Sequence, residues 1–224
     1  MWLERANGVL GMKRTRDPSA HANAGIRGWQ AVAKRTLDLA AATIGLALTW
    51  WLILACAALS THVHGRCGFF VQERVGLHGT RFGLVKLRTM RADAAITTSV
   101  TTADDARITP FGAWLRRTKI DELPQLLNVL LGQMSLVGPR PDVPGFADRL
   151  KGEDRIVLGV RPGITGPATL HFRDEERLLA KQSDPERYNR EVVYPHKVAL
   201  NRLYVEDYSF WRDLVYLWRT VFGR

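Results

Sequence analysis

One long apolar run, Leu37–Leu59, constrains the fold of this chain more than any other feature. It contains a single charged residue, Asp38, close to its beginning. A helix rises about 1.5 Å per residue, so this run is long enough to cross the hydrocarbon core of a bilayer, about 30 Å thick. The run predicts a membrane anchor in one of three forms: a cleaved signal peptide, a spanning helix, or a re-entrant hairpin that enters and leaves by the same face.

The residues that flank the run favour the hairpin. Thirty-six residues precede it, which is unlike a signal peptide. Residues 1–36 contain seven Lys and Arg, and residues 60–91 contain six. Because basic residues beside membrane segments prefer the cytoplasm, a spanning helix would leave one basic flank outside, whereas a hairpin keeps both inside.

Composition and charge suggest three parts and an anionic partner. We assign 1–33 to a disordered basic tail, 34–60 to the membrane anchor, and 61–224 to a catalytic domain large enough for a core. The net charge of +10 is compatible with nucleic acid, an anionic membrane or phosphorylated substrates. No nucleic-acid-binding motif is present, so that partner is not expected. The two cysteines form no disulfide framework, which fits a reducing compartment.

Local patterns predict an α+β fold, mainly helical with a small β-hairpin. The hairpin spans Phe69–Leu87, with its turn at residues 76–79. A loop covers 92–107, and Thr109-Pro110 then begins a helix as N-cap and first residue. Helical patterns continue to the C-terminus, where Ser209–Arg224 carries two apolar rows with Trp and Arg. This last segment fits an interfacial amphipathic helix or an ordinary core-packing helix, and the pattern alone leaves both open.

Two adjacent carboxylates, Asp121 and Glu122, are the candidate reactive groups. We predict that Asp121 caps a second helix that ends at Gly132, because Asp is a good N-cap and Pro124 is tolerated in a first turn. The partial positive charge of a helix N-terminus stabilises anions and suits phosphate. Asp121 could therefore attack a phosphorus atom. The alternative is that both carboxylates only stabilise the helix.

Four basic residues are candidate phosphate ligands. Lys86 and Arg88 share one face at the end of a strand because side chains alternate. Arg140 is fixed between two prolines, and Arg161 begins a Gly/Pro-rich loop that contains Thr165. A planar guanidinium matches phosphate geometry. For each of these residues, an ordinary structural role is the alternative.

The series of motifs resembles the monotopic phosphoglycosyl transferase family, also called bacterial sugar transferases. The resemblance covers about residues 34–224 in the expected order. The matching segments are Lys34-Arg35 with Asp38, Gln72–Gly76, Lys86–Met90, Lys119–Leu126, Asn128–Leu130, Met134–Pro141 and Arg161–Gly166.

The resemblance implies an activity and a mechanism. Asp121 would attack the β-phosphorus of a UDP-sugar and form a covalent aspartyl-phosphosugar, with UMP leaving; polyprenyl phosphate would then take the phosphosugar. Mg²⁺ would be held at Asp121 and Glu122, and Glu122 would support metal binding or proton handling. The family also implies that Lys86, Arg88, Arg140, Arg161 and Thr165 bind substrate. It places the enzyme on the cytoplasmic face of the bacterial inner membrane, in exopolysaccharide, capsule or related glycan assembly; a homodimer stays open.

Two departures from the family pattern stand out. Family members commonly break the membrane helix with Ser-Pro, where this chain has Trp50-Trp51. Residues 167–173 replace a stretch that in many relatives resembles Ala-Gln-Val-Asn-Gly-Arg. A membrane adaptor without enzymatic activity and a basic nucleic-acid binder are the rival functions. Neither rival requires the whole series of motifs around Asp121-Glu122.

Overall fold

The computed structural model describes residues 26, 28–92 and 100–223 of the chain. It confirms a mainly helical fold with a small β-hairpin and one long apolar helix near the N-terminus. The predicted tail, 1–33, lies almost entirely outside the described residues, as does part of the predicted loop 92–107. The three-part division stays a prediction.

The apolar run lies within one continuous helix, α1 (Trp29–His64). Among the described residues, α1 is the one helix long and apolar enough to cross a membrane. It ends at Gly65, which adopts left-handed backbone angles (φ 63°) and donates its N–H to the Thr61 carbonyl, a common helix C-cap. Because α1 continues through Trp50-Trp51, the re-entrant hairpin is not confirmed.

Both ends of α1 pack on the rest of the protein. Lys34, Asp38 and Ala42 are buried near its beginning, and Ile53, Cys56, Ala57 and Ser60 are buried near its end. Its other side leaves a row of large apolar side chains more than half exposed: Ile44, Leu48, Trp50, Trp51, Leu54 and Leu59. α1 is therefore both a core element and an apolar outer surface.

The predicted hairpin is present. Strand β1 (Phe69–Val75) pairs antiparallel with β2 (Arg81–Leu87), with Phe69 opposite Leu87. A short 3₁₀ turn, Leu77–Gly79, connects them at the expected place. One side of the hairpin enters the main core, where it packs with the region that follows residue 125.

Helix α2 (Pro110–Thr118) begins as predicted, with the Thr109 hydroxyl accepting the Gly112 N–H at 3.0 Å. The helix predicted from Asp121 to Gly132 is wrong in its beginning, since Ile120–Glu122 forms a 3₁₀ turn and helix α3 spans Gln125–Leu130. Asp121 makes no N-cap hydrogen bond. Pro124 has no N–H to donate to the Ile120 carbonyl, which accepts from Leu123 N instead (3.2 Å).

A second pair of strands lies within the two proline-containing motifs, Met134–Pro141 and Arg161–Gly166. Strands β3 (Ser135–Val137) and β4 (Gly163–Thr165) run parallel. An ideal Cβ on Gly163 would lie only 2.1 Å from the Gly138 nitrogen. The glycines of both motifs therefore allow close backbone approach, a role that the sequence reading did not assign to them.

The C-terminal part is helical. Its helices are α4 (Pro167–His171), α5 (Glu175–Ala180), α6 (Pro185–Tyr188), α7 (Tyr194–Glu206) and α8 (Phe210–Val221), with a π-helical segment, Asn189–Val193, between α6 and α7. α8 buries Asp213 and Tyr216 and exposes Trp211 and Trp218 by 68% and 64%. One side of α8 thus packs on the core and the other is an exposed apolar surface, while its position in a membrane interface stays a prediction.

A buried polar junction joins α1, β3, α7 and α8. The Lys34 ammonium donates to the Val137 carbonyl (2.8 Å) and to Asp213 Oδ2 (2.6 Å). The hydroxyls of Tyr204 and Tyr208 also donate to Asp213, at 2.8 and 3.0 Å. Lys34 was counted in the basic membrane flank, but its charge is neutralised inside the fold.

Arg35 and Asp38 extend this attachment of α1. The Arg35 guanidinium donates to the carbonyls of Val129 (2.8 Å) and Leu130 (3.2 Å), at the end of α3. Asp38 Oδ1 accepts from Ser135 Oγ (3.0 Å) and Leu136 N (2.9 Å). Three polar residues of one helix thus hold β3 and α3 in place.

Candidate active site

Asp121 lies in a buried turn beside α3. The preceding Lys119 adopts left-handed angles (φ 60°), which redirects the chain between α2 and the 3₁₀ turn that carries Asp121 and Glu122. Asp121 is 5% exposed, and its Oδ1 has no hydrogen-bond partner among the described residues. A buried carboxylate oxygen without a partner is costly and is expected where a ligand completes the site.

Glu122 is held by two cations. Arg140 donates to Glu122 Oε1 at 2.6 Å, and the Lys86 ammonium lies 3.6 Å from the same oxygen. Burial opposes ionisation of Glu122, but Arg140 and Lys86 outweigh it and hold the pKa of this carboxyl well below its usual range. Glu122 is therefore a fixed anion that neutralises and orients the cations around it.

Asp121 has the opposite environment. Burial and the neighbouring Glu122 charge raise the pKa of Asp121, while Lys86, Lys119 and Arg116 partly offset the rise. Two adjacent carboxylates whose pKa values are pushed apart are a common arrangement in catalytic sites. The more basic carboxylate, Asp121, is also the one with a free oxygen.

Lys86 and Arg140 come from the segments that the sequence singled out. Lys86 is the second-last residue of β2, and Arg140 follows β3 after Pro139. Burial, followed by the charges of Arg140 and Arg74, lowers the pKa of Lys86 to about 8 although Glu122 and Asp121 act in the other direction. The structure thus brings two of the four predicted basic residues to the carboxylate pair.

Arg74 and Asp142 belong to this site and were not predicted as site residues. Arg74 donates to the Pro141 carbonyl (3.2 Å) and to Gln72 Oε1 (2.6 Å), and burial lowers its pKa to about 10. Burial raises the pKa of Asp142 to about 6, against the opposing charges of Lys197 and Arg74. Arg74 could have been found from its place in the Gln72–Gly76 motif. Side chains alternate along a strand, so Arg74 lies on the same side as Gln72.

Ion pairs from α5 border the same region. Glu176 accepts from Arg116 of α2, and Glu175 pairs with Lys197 of α7 at 2.6 Å. Arg116 also lies 3.4 Å from the Thr89 hydroxyl. α5 follows residues 167–173, where the sequence departs from the family pattern, so this segment leads directly to the rim of the site.

The other predicted ligands lie elsewhere. The Arg88 guanidinium donates to the carbonyls of Cys67 (2.8 Å) and Phe69 (3.5 Å). Arg161 Nε donates to the Gly132 carbonyl (2.7 Å), at the end of α3 opposite to Asp121. Thr165 Oγ1 lies 2.7 Å from Thr220 Oγ1 of α8. Among the described residues, none of these three side chains has a contact with Asp121 or Glu122.

The carboxylate pair fits a magnesium ion. Within the described part of the chain, no group of three or more His, Cys, Asp and Glu side chains is arranged for a metal. Mg²⁺ is commonly bound through one or two carboxylates together with substrate phosphates. The unpartnered Asp121 Oδ1, with Glu122 beside it, is the donor set that such a shared ion requires.

The site places a buried carboxylate, Asp121, beside the cations Lys86 and Arg140, an arrangement that suits chemistry on a phosphorylated substrate. The chain belongs to the bacterial sugar transferase family, whose model matches residues 29–223, and the protein is a transferase. The family match carries the transferase class, and the roles of Asp121 and Glu122 stay predictions.

Three relatives show the range of names within this family. The chain is 37% identical to an uncharacterized sugar transferase, EpsL, of Bacillus subtilis, over 85% of the chain and 86% of the relative. It is 39% identical to a UDP-glucose:undecaprenyl-phosphate glucose-1-phosphate transferase of Caulobacter vibrioides, over 84% and 68%. It is 32% identical to the exopolysaccharide production protein ExoY of Rhizobium meliloti, over 85% and 84%.

Proposed function

We propose that this transferase moves a sugar 1-phosphate from a UDP-sugar to polyprenyl phosphate, as the first membrane step in assembly of an exopolysaccharide or related glycan. The observation that carries the proposal is Asp121, a buried carboxylate with an unpartnered oxygen beside Lys86 and Glu122. The names of the relatives support the donor and the acceptor, since one acts on UDP-glucose and undecaprenyl phosphate.

The reaction proceeds in two displacements at phosphorus. A carboxylate oxygen of Asp121 attacks the β-phosphorus of the UDP-sugar, and the bond from that phosphorus to the bridging oxygen breaks. UMP leaves with the bonding electron pair, and Asp121 carries the phosphosugar. A phosphate oxygen of the acceptor then attacks the same phosphorus, which restores the Asp121 carboxylate and forms polyprenyl-diphosphosugar.

The surrounding charges suit these steps. Lys86 and Arg140 stabilise phosphate oxygens and the developing charge, and Glu122 keeps both cations in position. The raised pKa of Asp121 makes it a better nucleophile than an ordinary carboxylate, provided that it is deprotonated. Magnesium, held by Asp121 and Glu122 together with phosphate oxygens, would supply further neutralisation of charge.

We further propose that α1 enters and leaves the membrane by the cytoplasmic face. Lys34 and Ser60, 26 positions apart in sequence, both bond to the same catalytic domain, at Val137 O (2.8 Å) and Arg88 O (2.5 Å). That separation is about 39 Å of straight helix, so a transverse span would force polar parts of the domain into the bilayer. A helix that stays on one side exposes only its apolar row to lipid.

Two side chains in the middle of α1 support local bending in place of Ser-Pro. Thr49 Oγ1 donates to the Gly45 carbonyl (2.6 Å), and Trp51 Nε1 donates to the Leu48 carbonyl (2.9 Å). Side-chain donors that compete for backbone carbonyls are a known cause of helix bending. This arrangement also gives Trp51 a polar partner within an otherwise apolar run.

The experiment is a reaction without acceptor. Purified enzyme is mixed with a panel of UDP-sugars, and we expect about one equivalent of UMP per active site before polyprenyl phosphate is added. The phosphosugar should be found by mass spectrometry on the peptide that contains Asp121. Steady-state kinetics should be ping-pong.

Two variants make this test specific. Asp121→Asn should abolish UMP release while the protein still folds, since Asn keeps the size of the side chain and cannot form the adduct. Asp207→Asn, at an exposed carboxylate after α7, is the matched control and should react normally. Kinetics that require both substrates together, with no adduct, would contradict the covalent step.

A further inference from the structure

A cavity of about 150 Å³ lies beside the beginning of α1, on the opposite side of α3 from the carboxylate pair. Its polar lining consists of Lys34, Arg35, Asp38, His78, Ser135 and Arg161. Asp121 and Glu122 precede α3, whereas the cavity adjoins the carbonyls that follow it. The groups that set the pKa values of Asp121 and Glu122 do not include any residue of this lining.

Two half-buried guanidiniums converge on the cavity. Arg161 Nε bonds to the Gly132 carbonyl (2.7 Å), and Arg35 Nη2 lies 3.5 Å from the place of an ideal Cβ on Gly132. Neither arginine forms an ion pair with a carboxylate among the described residues. The Arg161 terminal nitrogens have no hydrogen-bond partner within the same part of the chain. Two adjacent guanidiniums that form no ion pair of their own favour binding of an anion.

The charge balance defines what kind of anion fits. Lys34 is neutralised by its 2.6 Å pair with Asp213. Asp38 offsets one of the two guanidiniums, and its Oδ1 already accepts two hydrogen bonds from β3. The lining therefore carries about one net positive charge, which matches the single negative charge of a phosphodiester or of monobasic phosphate.

The position of the cavity points to the polar boundary of the membrane. Arg35 and Asp38 line it, and they stand at the boundary where the apolar run begins with Leu37. Lipid phosphates lie where apolar and polar parts of a membrane protein meet.

We propose that this cavity binds one phosphate group, through Arg161 and Arg35, as the headgroup phosphate of a phospholipid. The same chemistry would accept free phosphate, and the experiment distinguishes the two sources. This site is separate from the reaction at Asp121, so it does not rest on the proposed function.

The first measurement is thermal unfolding of the purified full chain with increasing inorganic phosphate at constant ionic strength. The background is Arg140→Gln, which removes a cation of the carboxylate site and so reduces phosphate binding there. We expect phosphate to raise the melting temperature, as any ligand of the folded state does. Arg161→Gln, in the same background, should weaken phosphate binding about tenfold to a hundredfold, since a charge-assisted hydrogen bond is lost.

The second measurement is native mass spectrometry after exposure to mixed vesicles of phosphatidylcholine and phosphatidylglycerol. If one phospholipid stays bound to the parent chain and is lost in Arg161→Gln, the ligand is a lipid headgroup. If the chain binds inorganic phosphate but retains no phospholipid, the lipid headgroup is overturned as the ligand and free phosphate takes its place. Arg173→Gln is the matched control, because Arg173 also bonds to backbone carbonyls at the end of a helix, those of Arg219 and Gly223. Equal responses of the Arg161 and Arg173 variants would overturn the proposal.

A further variant keeps the test valid if Arg161→Gln does not fold. Arg35→Lys keeps the charge but loses the planar fork, so it should fold and bind phosphate more weakly. If Arg161→Gln unfolds, phosphate binding by Arg35→Lys decides whether the cavity is a phosphate site. Unchanged phosphate binding in Arg35→Lys, or absence of any effect of phosphate and lipid on the parent chain, excludes the site.

Discussion

At the scale of the residue, Asp121 and Glu122 are neighbours in sequence with different electrostatic environments. Glu122 pairs through Oε1 with Arg140 and Lys86, so it stays ionised and serves to hold those cations. Asp121 is desolvated beside that fixed charge, which makes it the more basic of the two. The two carboxylates differ in role because only Glu122 reaches the cations. The adjacent Asp-Glu sequence by itself does not predict this difference.

The charge of Lys86 predicts a pH profile. Because its pKa is lowered to about 8, Lys86 loses its proton as the pH rises through that value, and kcat/KM should fall there. On the acid side, activity should fall as Asp121 is protonated, at a higher pH than for an ordinary aspartate. The measurement is kcat/KM for UMP release across this pH range.

Lys86→Arg tests the assignment of the basic limb. A guanidinium stays charged, so the fall above about pH 8 should move to higher pH while the acid limb is unchanged. Lys151→Arg, at an exposed position, should leave the whole profile as it is. A basic limb that does not move in Lys86→Arg would assign it to another group.

At the scale of the element, α1 is an integral part of the catalytic domain. Its first turns hold β3 through Lys34 and Asp38, and β3 leads directly to Arg140. The exposed row of apolar residues on α1 and the exposed tryptophans of α8 are outer surfaces of the same unit. Lipid contact and site geometry therefore depend on the same helix.

The buried pair Lys34–Asp213 predicts a stability difference. Lys34→Met leaves Asp213 buried without its cation, which typically costs about 3–5 kcal/mol, and should lower the melting temperature strongly. The double variant Lys34→Met/Asp213→Leu should recover part of this loss. The melting temperature in detergent is the measurement.

An exposed ion pair is the control for this prediction. Arg187 and Glu191 lie one helical turn apart on the surface, at 3.0 Å. Arg187→Met should change the stability by less than about 0.5 kcal/mol. If Lys34→Met were as mild as Arg187→Met, the junction would not hold α1 to the domain.

Local patterns predicted those features that depend on sequence neighbours. The hairpin and the Thr109 cap both follow from a few adjacent residues. Arg161 and Thr165 could not be placed in this way, because their partners lie 29 and 55 positions away in sequence. The prediction that a helix begins at Asp121 was wrong, because the missing N–H of Pro124 outweighed the preference of Asp for an N-cap position.

At the scale of the whole molecule, the attachment of both ends of α1 to one domain supports the proposed topology in the membrane. Lys34 is buried and paired with Asp213, and Arg35 is half-buried with its guanidinium bonded to the end of α3. Both therefore contribute less to the basic flank than their position in sequence indicated. The proposal that both ends of α1 lie on one side of the membrane therefore rests mainly on the bonds that join both ends to the same domain.

A labelling experiment tests this topology. Cys56 and Cys67 are replaced, one cysteine is placed at Ser19, and spheroplasts are treated with a thiol reagent that cannot cross the inner membrane. We expect protection in intact spheroplasts and labelling after lysis, as for a second variant, Lys151→Cys, in the catalytic domain. Labelling of the Ser19 position in intact spheroplasts would show that α1 spans the membrane.

The way in which Lys34, Asp38 and Ser60 are bonded into the domain has a consequence for modularity. An anchor joined by a linker can be cut off, exchanged or lost in evolution without harm to the enzyme behind it. Here, deletion up to residue 64 would leave Asp213 buried without its cation and the Ser135 hydroxyl and Leu136 N–H without their acceptor. Recombination can add segments ahead of Trp29, but a soluble form of this transferase requires a redesigned interior.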